Sequence, residues 1–158
     1  GRITMTMREV DECMAAGADV VSIDCTDCVR GDGLTPTEFL KAVREEYPNI
    51  IIMADCATFE EGVAAHAAGA DLVGTTMNGY TPQTAGETGE PNFALVARLV
   101  KTLPCPVIAE GRIHTPEQAR KMLEIGAWAV VVGGAITRPL EIASRFMAAV
   151  RDLPGGMV

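Results

Sequence analysis

Five apolar runs in this chain stop on groups able to do chemistry. "VVSID" closes on Asp24, "IIMAD" on Asp55, "DLVGTT" on Thr75-Thr76, "VIAEGR" on Glu110, and "VVVGGAITRP" on Gly133-Gly134 with Arg138 close behind. A carboxylate that ends an apolar strand is partly desolvated. Desolvation raises its pKa toward the range in which it can take a proton from a carbon beside a carbonyl. Glu110, after Ala109, is the candidate for that task. Asp24 and Asp55 suit sugar hydroxyls or the orientation of a cationic partner. Two consecutive glycines let backbone amides approach an anion closely, and a following helix adds its positive end. Arg138 and Arg112 supply forks for a phosphate, and Gly111 supplies another free amide.

Other reactive types fit less well. Lys41, Lys101 and Lys121 all fall on expected helices, so none can act as a base on that rim. His66 is expected mid-helix, and His114 directly precedes a helix cap. The five cysteines form no disulfide-like framework and are expected to be reduced. Cys25-Thr-Asp-Cys28 is a lone C-x-x-C without the second pair that a zinc site would need.

Elements with a repeated grammar must position these groups. Thr6, Thr35, Thr58 and Thr115 are each followed three residues later by Glu or Gln, the signature of a capping box. Pro36 and Pro116 take the first helical position, where a missing N–H costs nothing. Gly17, Gly69 and Gly126 fit left-handed positions just past helix ends. Ala119, Met122, Leu123 and Gly126 form a stripe at helical spacing. Strands are expected at 19–24, 50–55, 71–76, 106–110 and 128–133. Their continuous apolar character suits parallel strands buried on both faces. The long connection 77–91, rich in Gly, Thr and Pro, reads as an active-site loop.

The fold class is therefore α/β, built from parallel βα units. Strand ends fall roughly 27 residues apart, so eight units would give a (β/α)8 TIM barrel of about 220 residues. Five of the eight strands are visible, which leaves two architectures open: an open doubly wound sheet, or the C-terminal part of an incomplete barrel. Residues 1–158 read as one domain. In either architecture the strand ends share one rim where ligands bind.

Net charge is −8 with no basic cluster, and aromatics are only 4%, which argues against nucleic acid and anionic membrane as partners. No run reaches membrane-spanning length and no signal peptide is visible, so a cytoplasmic location is expected. Bare edges on a five-stranded sheet invite pairing, so self-association into a homo-oligomer is expected.

The motifs together resemble the N-acetylmannosamine-6-phosphate 2-epimerase family. The resemblance rests on Met7-Arg-Glu-Val-Asp11, Asp24-x-Thr26, Met53-Ala-Asp55, Gly74-Thr-Thr-Met-Asn-Gly-Tyr80, Ala109 to Gln118 and Val132 to Pro139. It implies a barrel enzyme that inverts C2 of an N-acetylhexosamine 6-phosphate by deprotonation and reprotonation, without a metal or redox cofactor. It implies Glu110 as the catalytic carboxylate. It makes Asp55, Asp24, Thr76 and Arg30 the substrate contacts, and Gly111, Arg112, Gly133, Gly134 and Arg138 the phosphate side. Two departures stand out. The family's lysine lies on its first three strands, which these residues do not include, so impaired activity is expected of the isolated chain. Cys28 and Gly31 replace an arginine and a proline after Asp-x-Thr. The alternatives are a non-catalytic phosphosugar-binding module and another phosphosugar-converting barrel enzyme.

Overall fold

A computed structural model describes residues 3–28, 30–87 and 89–151. The order is α1 (Met7–Ala15), β1 (Val20–Asp24), α2 (Pro36–Glu46), β2 (Ile51–Asp55), α3 (Phe59–Ala67), β3 (Leu72–Gly74), α4 (Phe93–Thr102), β4 (Val107–Glu110), α5 (Pro116–Ile125), β5 (Ala129–Val131), α6 (Gly134–Thr137) and α7 (Pro139–Arg151). All five strands lie in one parallel sheet whose order is β1-β2-β3-β4-β5. A doubly wound sheet reverses its strand order at a switch point. This one does not, so the chain winds in one direction, as barrels do.

Local chemistry sets the helix ends. All four capping boxes are formed, by Thr6 with Glu9, Thr35 with Glu38, Thr58 with Glu61 and Thr115 with Gln118. α4 is capped differently, by Asn92, whose side-chain oxygen accepts from the Leu95 amide at 2.9 Å. Gly17, Gly69 and Gly126 all have positive φ, as their positions after helices require. In the expected α5 stripe, Met122 is buried and Ala119 packs against the core. Leu123 instead faces solvent, 52% exposed, because the covered face of α5 is narrower than the apolar spacing suggests.

Burial alternates along β1 and β2. Val21, Ile23, Ile52 and Ala54 pack outward against Phe39, Leu40 and Val43 of α2 and the other helices. Val20 and Ile51, on the inner face, are each 43% exposed. Among the described residues, helices cover one face of these strands, and the far end of the other face is not covered. β1 and β5 are the edge strands of this sheet. Beyond α6, none of the α7 residues is buried, and Leu140 and Phe146 are largely exposed. No helix among the described residues is long and apolar enough to cross a membrane.

Candidate active site

The inner face carries a polarity gradient. Val20 and Ile51 sit at one end, and Asp24 and Asp55 sit at the other as register partners on β1 and β2. Both aspartates are buried. Asp24 Oδ1 accepts from the Thr26 amide at 2.9 Å and the Thr26 hydroxyl at 2.6 Å, while its Oδ2 has no partner. Asp55 Oδ1 accepts from the Thr76 hydroxyl at 2.8 Å. Burial raises the Asp55 carboxyl to about 6, and the nearby Glu110 and Asp24 charges push the same way.

β3 ends at Gly74, two residues sooner than expected, yet the next two side chains continue its work. Thr75 Oγ1 donates to the Glu110 carbonyl at 2.8 Å and accepts from the Glu110 amide at 3.1 Å. This bracket fixes the end of β4 against the chain leaving β3. Thr76 Oγ1 lies 3.1 Å from Glu110 Oε2. Glu110, half-buried, pairs in register with Val131 on β5, whose chain then turns at Gly133-Gly134.

These groups meet in one cleft of ≈ 270 Å³. Thr76, Glu110, Gly111 and Arg112 form one wall, and Gly133, Gly134 and Arg138 form the other, with Tyr80, His114 and Glu141 at its edges. Seven of the ten residues expected at the site therefore share a single cleft. Gly134 and Ala135 open α6, so their amides have no intrahelical acceptor. A Cβ on Gly134 would come within 2.8 Å of Glu141 Oε2, whereas Gly133 faces open space. Arg138 is exposed and ion-paired to Glu141 at 2.7 Å.

Three expected contacts fall elsewhere. Asp24 and Asp55 lie behind the cleft wall. Arg30 is 2% exposed and is not among the residues lining this cleft. Its guanidinium donates to the carbonyls of Asp24 (3.1 Å), Thr4 (3.3 Å) and Met5 (2.5 Å), and stacks 3.7 Å from the centre of the Phe39 ring. Arg112 reaches the cleft, but its fork is committed to the loop, to Asn78 Oδ1 and the Glu87 carbonyl. That loop is ordered by its own side chains. Asn78 donates to the Ala57 carbonyl at 2.8 Å, and the Gly79 amide donates to Thr84 Oγ1 at 2.8 Å. A Cβ on Gly79 would lie 3.2 Å from Arg112 Nε, so the guanidinium sits directly over this glycine. Asn78, Tyr80 and Glu87 were not named individually as site residues, although all three fall in the loop 77–91 expected to serve the site.

The cysteines are all free. Burial pushes the Cys25 and Cys56 thiols well up, which makes them poor nucleophiles and ligands. Among the described residues no cluster of His, Cys, Asp or Glu is arranged to hold a metal ion.

A one-directional parallel sheet, with ionisable groups and a glycine turn gathered at the strand C-termini, defines a protein of the (β/α)-barrel class. The family model described as "NanE: Putative N-acetylmannosamine-6-phosphate epimerase" matches residues 1–152, and the chain belongs to that family. A relative from Caldanaerobacter subterraneus is 51% identical over 95% of this chain and 63% of its own length. One from Listeria welshimeri is 47% identical over 92% and 62%. Both carry the name "Putative N-acetylmannosamine-6-phosphate 2-epimerase". The solved N-acetylmannosamine-6-phosphate 2-epimerase of Clostridium perfringens superposes with a TM-score of 0.84 at 41% identity, covering 93% of this chain and 63% of that one. The thiamine phosphate pyrophosphorylase of Pyrococcus furiosus, at 24% identity and a TM-score of 0.60, shares the fold alone. The chain thus spans a little under two thirds of the length of these epimerases.

Proposed function

We propose that the protein carrying this chain interconverts N-acetylmannosamine 6-phosphate and N-acetylglucosamine 6-phosphate at C2. The observation that supports this reading is the shared cleft, which sets a carboxylate opposite a glycine turn and an arginine. Glu110 takes the reacting end of the open-chain sugar. There the C2 proton lies beside the C1 carbonyl and is acidic enough for a positioned base. The amides of Gly134 and Ala135, with Gly133 leaving the approach open, take the phosphate, and Arg138 swings from Glu141 to join them. Gly111 lets the chain after Glu110 pass close to the Thr75 and Thr76 carbonyls, where a Cβ would come within 3.5 Å of the Thr75 oxygen. Asp55 acts from behind the wall through Thr76. Arg112 holds the loop that carries Tyr80 to the cleft edge. Lys41, Lys101 and Lys121 lie on α2, α4 and α5, away from the cleft lining. The proton-carrying lysine implied by the family resemblance would therefore come from strands outside these 158 residues. In that reading the five strands form the C-terminal part of an eight-stranded barrel.

The test uses the whole protein in D2O with N-acetylmannosamine 6-phosphate, following loss of the C2 proton by NMR. Glu110→Gln should slow exchange by about two orders of magnitude or more, the scale of positioned acid–base catalysis. Arg138→Ala should raise KM more than it lowers kcat. Exchange at the wild-type rate in Glu110→Gln would sink the assignment.

A further inference from the structure

We propose that Arg112 is a positioning residue for Glu110: with Asn78 it adds a side-chain rung across the chains that leave β2, β3 and β4. The register makes the case. Val73 on β3 pairs with Val107 on β4, and Gly74 pairs with Ile108. The strands then stop, but the same offset of 34 residues continues in side chains. Thr76 Oγ1 stands 3.1 Å from Glu110 Oε2, and Asn78 Oδ1 accepts from the Arg112 guanidinium. Asn78 extends the contact to the chain leaving β2, where its amide donates to the Ala57 carbonyl at 2.8 Å. Ala57 follows Asp55, and Arg112 follows Glu110, by the same short step. The rung therefore ties the sheet together just past those two carboxylates. β2, β3 and β4 are all interior strands, so the rung needs nothing from strands that lie beyond β1 or β5.

The backbone of Arg112 is an independent pointer. Its φ is +57°, and Gly111 before it has φ +102°. A residue with a Cβ is strained in the left-handed region, and such strain persists only where the surroundings impose it. Here the guanidinium supplies the imposing contacts. One terminal nitrogen donates to the Glu87 carbonyl and the other to Asn78 Oδ1, with Glu87 Oε2 3.9 Å away. Nε has no partner and lies against Gly79, where a Cβ would come within 3.2 Å of it. Glu87 is held in turn by Asn92, whose Nδ2 donates to Oε2 at 2.5 Å. The Arg112 side chain is only 11% exposed. A fork committed in this way must give up both bonds before it can turn to a phosphate. Arg138, across the cleft, has only its exposed pair with Glu141 to leave.

Glu110 is thus tied twice. The Thr75 hydroxyl holds its amide and carbonyl, and the Arg112 rung holds the chain that leaves it. Between these ties the carboxylate stays beside Thr76 at the cleft wall. Without the rung, the bend at 111–112 is free to relax toward an unstrained φ, and the carboxylate drifts from the reacting carbon. That consequence for turnover rests on the epimerase reading, but the rung does not.

The test uses the whole protein and breaks the rung at two points. Arg112→Lys keeps the charge and loses the fork, and Asn78→Ala removes the acceptor at a residue outside the cleft lining. Each should lower kcat by about tenfold or more, because a small misplacement of a reacting group is costly, while KM and the inhibition constant of inorganic phosphate stay within about twofold. The double variant should be no slower than the slower single, since both remove one contact. The Glu110 amide should exchange about tenfold faster in each variant, with Ile108 on the same strand unchanged. If Arg112→Lys fails to fold, Asn78→Ala carries the same kinetic and exchange readouts alone. A rise of about tenfold in KM and in the phosphate inhibition constant for Arg112→Lys, with Asn78→Ala unaffected, would make Arg112 a phosphate ligand and overturn the proposal. Unchanged kcat, or effects that multiply in the double variant, would overturn it too. A wild type that exchanges no proton at C2 rejects the epimerase reading, and the Glu110 amide then decides the rung: faster exchange sustains it and unchanged exchange overturns it.

Discussion

Replacing Arg30 with Met separates a structural clamp from a ligand contact. The side chain is buried and makes three hydrogen bonds to carbonyls, two of them on the segment before α1. Each charge-assisted bond contributes about 1.5 kcal/mol net, and the carbonyls lose their donor when it goes. The stacking on Phe39 adds about 1 kcal/mol. Against this, Met removes a buried cation whose desolvation costs several kcal/mol, and Arg30 Nε has no partner to offset that cost. The balance is a loss of about 2–4 kcal/mol, since an apolar replacement leaves no stranded charge. For a domain of this size that is a fall of roughly 5–12 °C in Tm. Thermal melting measures the fall, and steady-state kinetics well below the transition measure the ligand. KM should stay within about twofold of wild type, because no Arg30 contact is made at the cleft. An unchanged Tm with KM raised tenfold would refute the clamp and restore Arg30 as a substrate contact.

Two more outcomes are expected. The raised Asp55 carboxyl means that the native state binds more protons than the unfolded chain between about pH 4 and 6, so stability falls as pH rises through that window. Asp55→Asn should be more stable than wild type above pH 7 by up to about 3 kcal/mol, with the gap closing toward pH 4, and a pH-independent gap in denaturant titrations would contradict this. Arg112→Lys keeps the charge but loses the fork, so amide hydrogen exchange in residues 78–87 should speed up about tenfold or more with the core unaffected. Unchanged exchange there would show that the loop holds itself.

What was legible in the sequence follows the range of each interaction. Capping boxes and helix-ending glycines are contained within a few residues, so Thr6, Thr35, Thr58, Thr115 and Gly126 could be read directly. The Asn92 cap was missed because Leu95 stands where a box would place Glu or Gln. The cleft residues were legible because parallel strands must share one rim. The bonding partners of Arg30 and Arg112 were not legible because they lie up to 26 and 34 residues away, and a long side chain does not disclose which way it folds. The open inner face was hidden for another reason. Val20 and Ile51 look the same in sequence whether or not a neighbour covers them.

The strictly sequential order of the sheet bears on how the molecule is made. Each strand pairs with the one synthesised just before it, and no later strand must insert between two already joined. As the polypeptide leaves the ribosome, every new βα unit meets a finished edge, and the capped helix that precedes it is already nucleated. Sequence-neighbour pairing keeps loop closures short, which favours fast, stepwise assembly. The Glu110 carboxylate on β4 therefore arrives only after Asp55 and Thr76 are in place beside it.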